Sequence, residues 1–135
     1  MKESLDEVQA LLEVAGRNIQ RTVAADFGFA VGPCLNAAGR LDDMSLGIEC
    51  LLTDSEDEAR RMAAQLDALN RERRDIEADM QSRALEAIER LHLEASCLPT
   101  GLCLYEAGWH QGVIGILASR IKEQFHRPVI AFAQA

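Results

Sequence analysis

The organisation of this chain follows from residues 54–93, DSEDEARRMAAQLDALNRERRDIEADMQSRALEAIERLHL. The stretch contains neither glycine nor proline, and its apolar residues recur at steps of three and four in one narrow stripe. The stripe consists of Met62, Leu66, Leu69, Ile76, Met80, Ala84, Ala87 or Ile88, and Leu91. Capping boxes beginning at Thr53 and Ser55 mark its start. The pattern predicts one helix, roughly 55–60 Å long, which exceeds the ~30 Å scale of a small domain.

Two interpretations of this helix stay open. A connecting helix over 54–97 would pack on a domain at each end and keep its charged middle, NRERRDIEAD, in solvent. A coiled coil would use the same narrow stripe as its seam, which is typical of a non-catalytic interaction module that dimerises through its acidic helix. The domain-like segments on both sides of the stretch favour the connecting helix.

The segment that follows the helix has the pattern of a β-α-β unit. Its strands are GLCLY at 101–105 and PVIAFA at 128–133, and an apolar-faced helix, GVIGILASRIKEQF, lies between them. A parallel strand pair with one crossover helix leaves one sheet face uncovered. We therefore expect residues 98–135 to open a domain whose remainder is absent.

The segment that precedes the helix contains FGFAVGPCLNAAGRL at 27–41, with three glycines and one proline in fifteen residues. This composition predicts a shaped loop. Small residues there would let another backbone approach, while Asn36 and Arg40 supply hydrogen-bond donors suited to a phosphate. A purely structural loop, in which Arg40 pairs with Asp42 or Asp43, explains the same residues. One of these two aspartates is also expected to cap a short helix that follows.

Composition and charge restrict the class of protein. The chain has 14 Lys+Arg against 22 Asp+Glu, a net charge of −8, which argues against a chain built as a whole to coat nucleic acid. The four cysteines lack the spacing of a zinc site, so thiols in a reducing cytoplasm are expected. No apolar run approaches the ~20 residues of a membrane span, and the N-terminus does not have the pattern of a signal peptide.

The three histidines also lack the spacing of metal ligands, and no catalytic or metal-binding residues are predicted in this chain. His110 differs from the other two because it lies in a strand-to-helix turn, where open α/β folds place ligand contacts. Gly112 follows it at the predicted helix start, where backbone N–H groups can hold an anion. A structural role is the favoured interpretation of His110, and the glycine pattern by itself does not define a phosphate motif.

Taken together, three segments resemble the RecJ family of single-strand-specific exonucleases, within the DHH phosphoesterase superfamily. They are FGFAVGPCLNAAGRLDDMSLGIECLL at 27–52, DALNRERRDIE at 67–77 and WHQGVIGILASRIKEQFHRPVIAFA at 109–133. The resemblance implies a mixed α/β, mostly helical fold. In it, residues 1–53 form the C-terminal end of a DHH domain, 54–97 the long interdomain connecting helix, and 98–135 the first β-α-β of a truncated DHHA1 domain.

The resemblance implies a 5′→3′ exonuclease that acts on single-stranded DNA in recombination and repair. It implies two Mn²⁺ or Mg²⁺ ions in the full-length enzyme, and a single-strand-binding protein and other repair proteins as partners. The family's Asp-His-His and Gly-Gly-His motifs do not occur in this sequence, so the chain alone is expected to be inactive. Asn36 and Arg40 are expected to contact the DNA backbone, and His110 and Gly112 to face the same cleft.

One residue departs from the family pattern. The family commonly has Gly-Pro-Arg before the Asn-Ala-Ala-Gly-Arg segment, whereas this chain has Gly32-Pro33-Cys34. A basic contact is therefore missing at position 34. Either phosphate contact is weaker there, or that arginine is not required.

Overall fold

The computed structural model describes residues 6–95 and 97–134. The chain divides between Arg73 and Arg74 into two compact units. The described residues of the first unit form helices and connecting turns, and the second unit combines helix with a small parallel sheet, so the expected mixed and mostly helical class is confirmed. The elements that open the first unit are helix α1 (Asp6–Val14), a 3₁₀ turn (Ile19–Arg21), helix α2 (Ala24–Asp26), a π-helix (Phe27–Val31), helix α3 (Gly32–Leu41) and helix α4 (Ser45–Leu52).

The predicted long helix is present as α5, a single helix from Glu56 to Ala95. At its start, the Ser55 hydroxyl accepts a hydrogen bond from the Glu58 N–H at 3.4 Å, as a capping residue does. Ion pairs one turn apart line its solvent side, including Glu56 with Arg60. Such pairs each stabilise a helix by only a few tenths of a kcal/mol, so burial of the apolar stripe must contribute most of its stability.

The stripe of α5 is buried over most of its length. Met62 and Leu66 are buried in the first unit, and Met80, Ala84 and Ile88 in the second. Of the stripe residues, all of which belong to the described part of the chain, only Leu91 is classed as exposed. A coiled coil would need this stripe at the surface as its seam. The structure therefore gives no support to the dimerising module, because the chain itself covers those side chains.

The core of the first unit forms where α1, α3 and α5 pack together. The buried cluster there includes Leu11 and Leu12 of α1, Cys34 and Ala38 of α3, and Leu66 of α5, which is fully buried. The small side chains of α3 allow the neighbouring helices to approach closely. Because this face of α3 is buried in the core, the opposite face of the helix is exposed to solvent.

The prediction of a loop over 27–41 is wrong, because these residues form the π-helix and α3. Gly32 and Pro33 lie where the π-helix meets α3, at positions that a helix can accommodate. Pro33 lies in the first turn of α3, where its missing N–H has the least cost. The wider π-helix before it accommodates the ring, which would clash with the Phe29 carbonyl in a regular α-helix. At the junction, a Cβ on Gly32 would lie 3.1 Å from the Phe27 carbonyl oxygen, so a residue without a side chain fits best.

The second unit contains the predicted β-α-β. Strands β1 (Leu102–Tyr105) and β2 (Val129–Phe132) pair in parallel, and helix α6 (Ile114–Phe125) connects them and packs on β2. Leu102 and Leu104 are buried, whereas the alternate side chains of β1 are exposed. His126 ends α6 in the left-handed conformation, with φ 52°. Within the described ranges, no helix is long and apolar enough to cross a membrane.

Leu66→Ala should lower the free energy of unfolding by about 2–5 kcal/mol, because it removes a fully buried side chain and leaves a cavity in the first unit. Urea unfolding followed by circular dichroism measures the change. Gln65→Ala, at the neighbouring exposed position, is the control and should change it by less than about 0.5 kcal/mol. Equal effects of the two substitutions would contradict the assigned core.

Candidate nucleic-acid interface

Asn36 and Arg40 lie one turn apart on the exposed face of α3. Cys34, Ala37 and Ala38 occupy the opposite, buried face. The structure therefore brings the two predicted contact residues together, on a helix rather than on a loop. An amide and a guanidinium side by side present several hydrogen-bond donors, and the guanidinium adds a positive charge. This arrangement is chemically suited to a phosphate.

The adjacent aspartates have structural positions at the ends of two helices. Asp42 follows the last residue of α3. Asp43 accepts hydrogen bonds from the backbone N–H and the hydroxyl of Ser45, both at 2.9 Å, and so caps the start of α4. These bonds, the backbone one foremost, hold the pKa of the Asp43 carboxyl below its ordinary value. Of the two predicted capping residues, the structure selects Asp43.

A buried polar cluster joins α3 to α5 behind the exposed face. Asn70 is only 2% exposed, and its side-chain N–H donates to the Cys34 sulfur at 3.6 Å. The Asn70 carbonyl oxygen accepts two hydrogen bonds from the Arg73 guanidinium, at 3.3 Å and 3.2 Å. The Cys34 thiol in turn donates to the Ala30 carbonyl oxygen at 3.4 Å. Asn70 is thus a polar bridge between the helix that carries the candidate site and the helix that supports it.

Sequence reasoning gave Asn70 no role, although the sequence contains a signal for it. Asn70 lies four residues after Leu66, on the line of the apolar stripe. A polar residue on the apolar stripe is either exposed, because the buried face of the helix is displaced there, or buried with hydrogen-bond partners. In the structure Asn70 is buried with hydrogen-bond partners. One of these partners is Cys34, the residue that departs from the family pattern. Cys34 is 1% exposed, so its side chain faces Asn70 in the interior rather than a ligand at the surface.

His110 and Gly112 lie in the turn between β1 and α6, in the second unit. The Gly112 N–H donates to His110 Nδ1 at 3.1 Å, so a neutral imidazole carries its proton on Nε2. The His110 carbonyl oxygen accepts from the N–H groups of Val113 and Ile114, at 3.0 Å and 3.2 Å. The first N–H groups of this turn are therefore used within it, which favours the structural interpretation over an anion site.

A cavity of about 550 Å³ lies beside β1 in the second unit. Its lining includes Arg83, Arg90 and Tyr105. Arg83 already pairs with Glu106 at 2.7 Å and with Asp79 at 3.1 Å, and these carboxylates raise the pKa of its guanidinium. The charge of Arg83 is thus balanced locally, which does not favour an anion in this cavity.

The chain is similar to single-stranded-DNA-specific exonucleases over nearly its whole length, although no protein-family model matches it. These relatives are RecJ proteins. The chain is 60% identical to RecJ of Escherichia coli strain K12 over 128 residues, which is 95% of this chain and 22% of the relative. It is 32% identical to RecJ of Bacillus subtilis strain 168 over 123 residues, which is 91% of this chain and 15% of the relative. The chain thus spans about a fifth of the curated relatives it matches.

Solved structures agree with the sequence relatives. RecJ from Thermus thermophilus, in complex with Mg²⁺, matches with a TM-score of 0.78 at 32% identity over 97% of this chain and 20% of that one. A RecJ exonuclease bound to manganese matches with a TM-score of 0.81 at 31% identity over 97% of this chain and 31% of that one. The predicted resemblance to a segment of the RecJ family is therefore confirmed in both sequence and fold.

Asn70→Ala should lower the free energy of unfolding by about 1–3 kcal/mol, because it removes the buried partner of Cys34 and Arg73. Chemical unfolding in urea measures the loss. Asn36→Ala is the matched control, since it makes the same substitution at an exposed position on α3. If the two variants were equally stable, the bridge would have no structural role.

Proposed function

We propose that this chain is a segment of a RecJ-type 5′→3′ exonuclease and that it contributes backbone contacts to single-stranded DNA. The observation that carries the proposal is the placement of Asn36 and Arg40 on one exposed helix face, in a chain 60% identical to a single-stranded-DNA-specific exonuclease. The amide and guanidinium bind phosphate oxygens without reading the bases. Such contacts suit an enzyme that must move along a strand of any sequence.

Within the proposed enzyme, residues 1–53 are the C-terminal end of a DHH domain and 98–135 the first β-α-β of a DHHA1 domain. Residues 54–97 are the connecting helix between them. The uninterrupted helix from Glu56 to Ala95 and the parallel pairing of β1 with β2 support this assignment. His110 and Gly112 are proposed to face the DNA cleft as part of the turn that opens α6.

Divalent metal ions are proposed to bind elsewhere in the longer protein. RecJ structures similar to this chain contain Mg²⁺ or Mn²⁺. Over residues 6–95 and 97–134, the structure has no group of three or more His, Cys, Asp or Glu side chains that would hold a metal. The described residues therefore do not fit a metal centre, and the chain by itself is proposed to be catalytically inactive. The proposed enzyme acts in the cytoplasm, with a single-strand-binding protein and other repair proteins as partners.

Binding of a 5′-phosphorylated single-stranded oligonucleotide, followed by fluorescence anisotropy at low and moderate salt, tests the DNA contact. Arg40→Ala should weaken binding to every sequence and reduce the slope of log K against log salt by about 0.7, the value for one phosphate contact on a single strand. Arg60→Ala is the matched control, because Arg60 is an exposed arginine on α5 that pairs with Glu56. An equal loss in both variants would contradict a specific role of Arg40.

A chimera tests the enzymatic part of the proposal. In it, this chain replaces the matching segment of the Escherichia coli relative, with which it shares 60% identity. The chimera should digest single-stranded DNA in the presence of Mg²⁺ or Mn²⁺, whereas the isolated chain should not. Digestion by the isolated chain that a chelator abolishes would overturn the proposed inactivity, and an inactive but folded chimera would count against the exonuclease assignment.

A further inference from the structure

Among the buried residues of α3, Cys34 has the one side chain that makes a directional contact with the core. The other two are Ala37 and Ala38, whose methyl groups pack without directional preference and discriminate weakly between neighbouring rotations of the helix. The Cys34 sulfur accepts a hydrogen bond from the Asn70 amide at 3.6 Å, and its thiol donates to the Ala30 carbonyl oxygen at 3.4 Å. The bond from Asn70 therefore ties the rotation of α3 to a polar group of α5.

The direction of the Asn70 amide is itself determined. Its carbonyl oxygen accepts from two nitrogens of the Arg73 guanidinium, at 3.3 Å and 3.2 Å. Arg73 lies three residues further along α5, so the two side chains are neighbours on one helix. With its oxygen turned to Arg73, the amide presents its nitrogen to Cys34 of α3. The cluster is thus a series of donors and acceptors that begins on α5 and ends on the π-helix before α3.

Asn70 and Cys34 are buried by the first unit itself. Further segments of a longer protein can only add to that burial, so this contact does not depend on what covers the surface of the unit. A buried amide that loses its partners carries the full cost of its desolvation, which makes the cluster resistant to rearrangement.

Cys34 and Asn36 lie on opposite sides of α3, because successive residues of a helix are about 100° apart. A contact that fixes Cys34 therefore also fixes the direction of Asn36, and of Arg40 one turn further on. With its side chains the helix has a radius of about 5–6 Å, so a rotation by about 20° moves atoms on the exposed face by about 2 Å. A hydrogen bond to a phosphate oxygen is lost over such a distance.

We propose that Asn70 is a positioning residue for the DNA contacts of α3. Through Cys34 it sets the rotation of the helix, and hence the direction in which Asn36 and Arg40 point. Asn70 touches no DNA itself, because its side chain is buried in the core. This inference rests on the proposed function of Asn36 and Arg40, and it adds an interior residue on which that function depends.

Two substitutions of Cys34 test the contact while Asn70 stays in place. Cys34→Ala removes the acceptor of the amide, whereas Cys34→Ser keeps a group that both accepts and donates. In fluorescence anisotropy with the 5′-phosphorylated single strand, Cys34→Ala should weaken binding by at least about threefold, and Cys34→Ser should bind as the unsubstituted chain does. Equal losses in the two variants would contradict the proposal. Cys50→Ala is the matched control and should leave binding unchanged, because it removes another buried thiol of the same core, which donates to the Ala59 carbonyl oxygen at 3.8 Å.

The salt dependence of binding separates positioning from a loss of folded protein. Asn70→Ala should reduce the slope of log K against log salt by about 0.7, as Arg40→Ala does, because the guanidinium no longer meets its phosphate. The double variant should show no further reduction. A merely structural role would lower the folded fraction, measured by circular dichroism, and leave the slope unchanged. If Asn70→Ala does not fold, Cys34→Ala with and without Arg40→Ala provides the same comparison.

Different outcomes separate this inference from the proposed function. Loss of binding in Arg40→Ala, with normal affinity and slope in folded Cys34→Ala and Asn70→Ala, would overturn the positioning role and leave the phosphate contact standing. Unchanged binding in Arg40→Ala would overturn the proposed function itself. The same variants in the chimera apply these criteria to the enzyme, where a lost positioning contact should raise KM and leave kcat unchanged. Binding by neither protein would overturn both proposals.

Discussion

Burial of the apolar stripe of α5 is the constraint on which the rest of the structure depends. The first unit is built from short helices, and helices of that length are marginal in water unless one face is buried. Leu66 and its neighbours on α5 complete the core that holds them. In the second unit, the same helix supplies Met80, Ala84 and Ile88 to the buried set. One long amphipathic helix thereby stabilises two units of different architecture.

The exposed face of α3 is a consequence of that packing. Once Cys34, Ala37 and Ala38 are committed to the core, the residues on the other side of the helix must face solvent. The π-helix before α3 continues the helical backbone toward the N-terminus. π-Helical turns are uncommon and occur frequently at functional sites. The packing of α3 thus presents an amide and a guanidinium on one exposed helix face.

Much of this fold was predictable from the sequence, and the exceptions have physical reasons. The long helix and the β-α-β unit were predicted because their apolar periodicities extend over many residues and agree with their caps and turns. The segment 27–41 was mistaken for a loop because glycine and proline are also tolerated at a π-to-α junction, where Gly32 and Pro33 lie. Asn36 and Arg40 were singled out from their chemistry, while Asn70 was missed because its burial depends on a partner 36 positions away.

The Asn70 bridge also favours one register of α5 against Cys34 of α3. Leu66, Asn70 and Arg74 follow one another at intervals of four, so a slip of α5 by one turn along α3 would bring a leucine or an arginine opposite the Cys34 thiol. Neither could replace the amide, which donates to the sulfur and accepts from Arg73 at the same time. Apolar contacts alone discriminate weakly between such neighbouring registers, whereas an unpaired buried amide is costly. A single buried amide therefore favours one register of α5 in the core of the first unit.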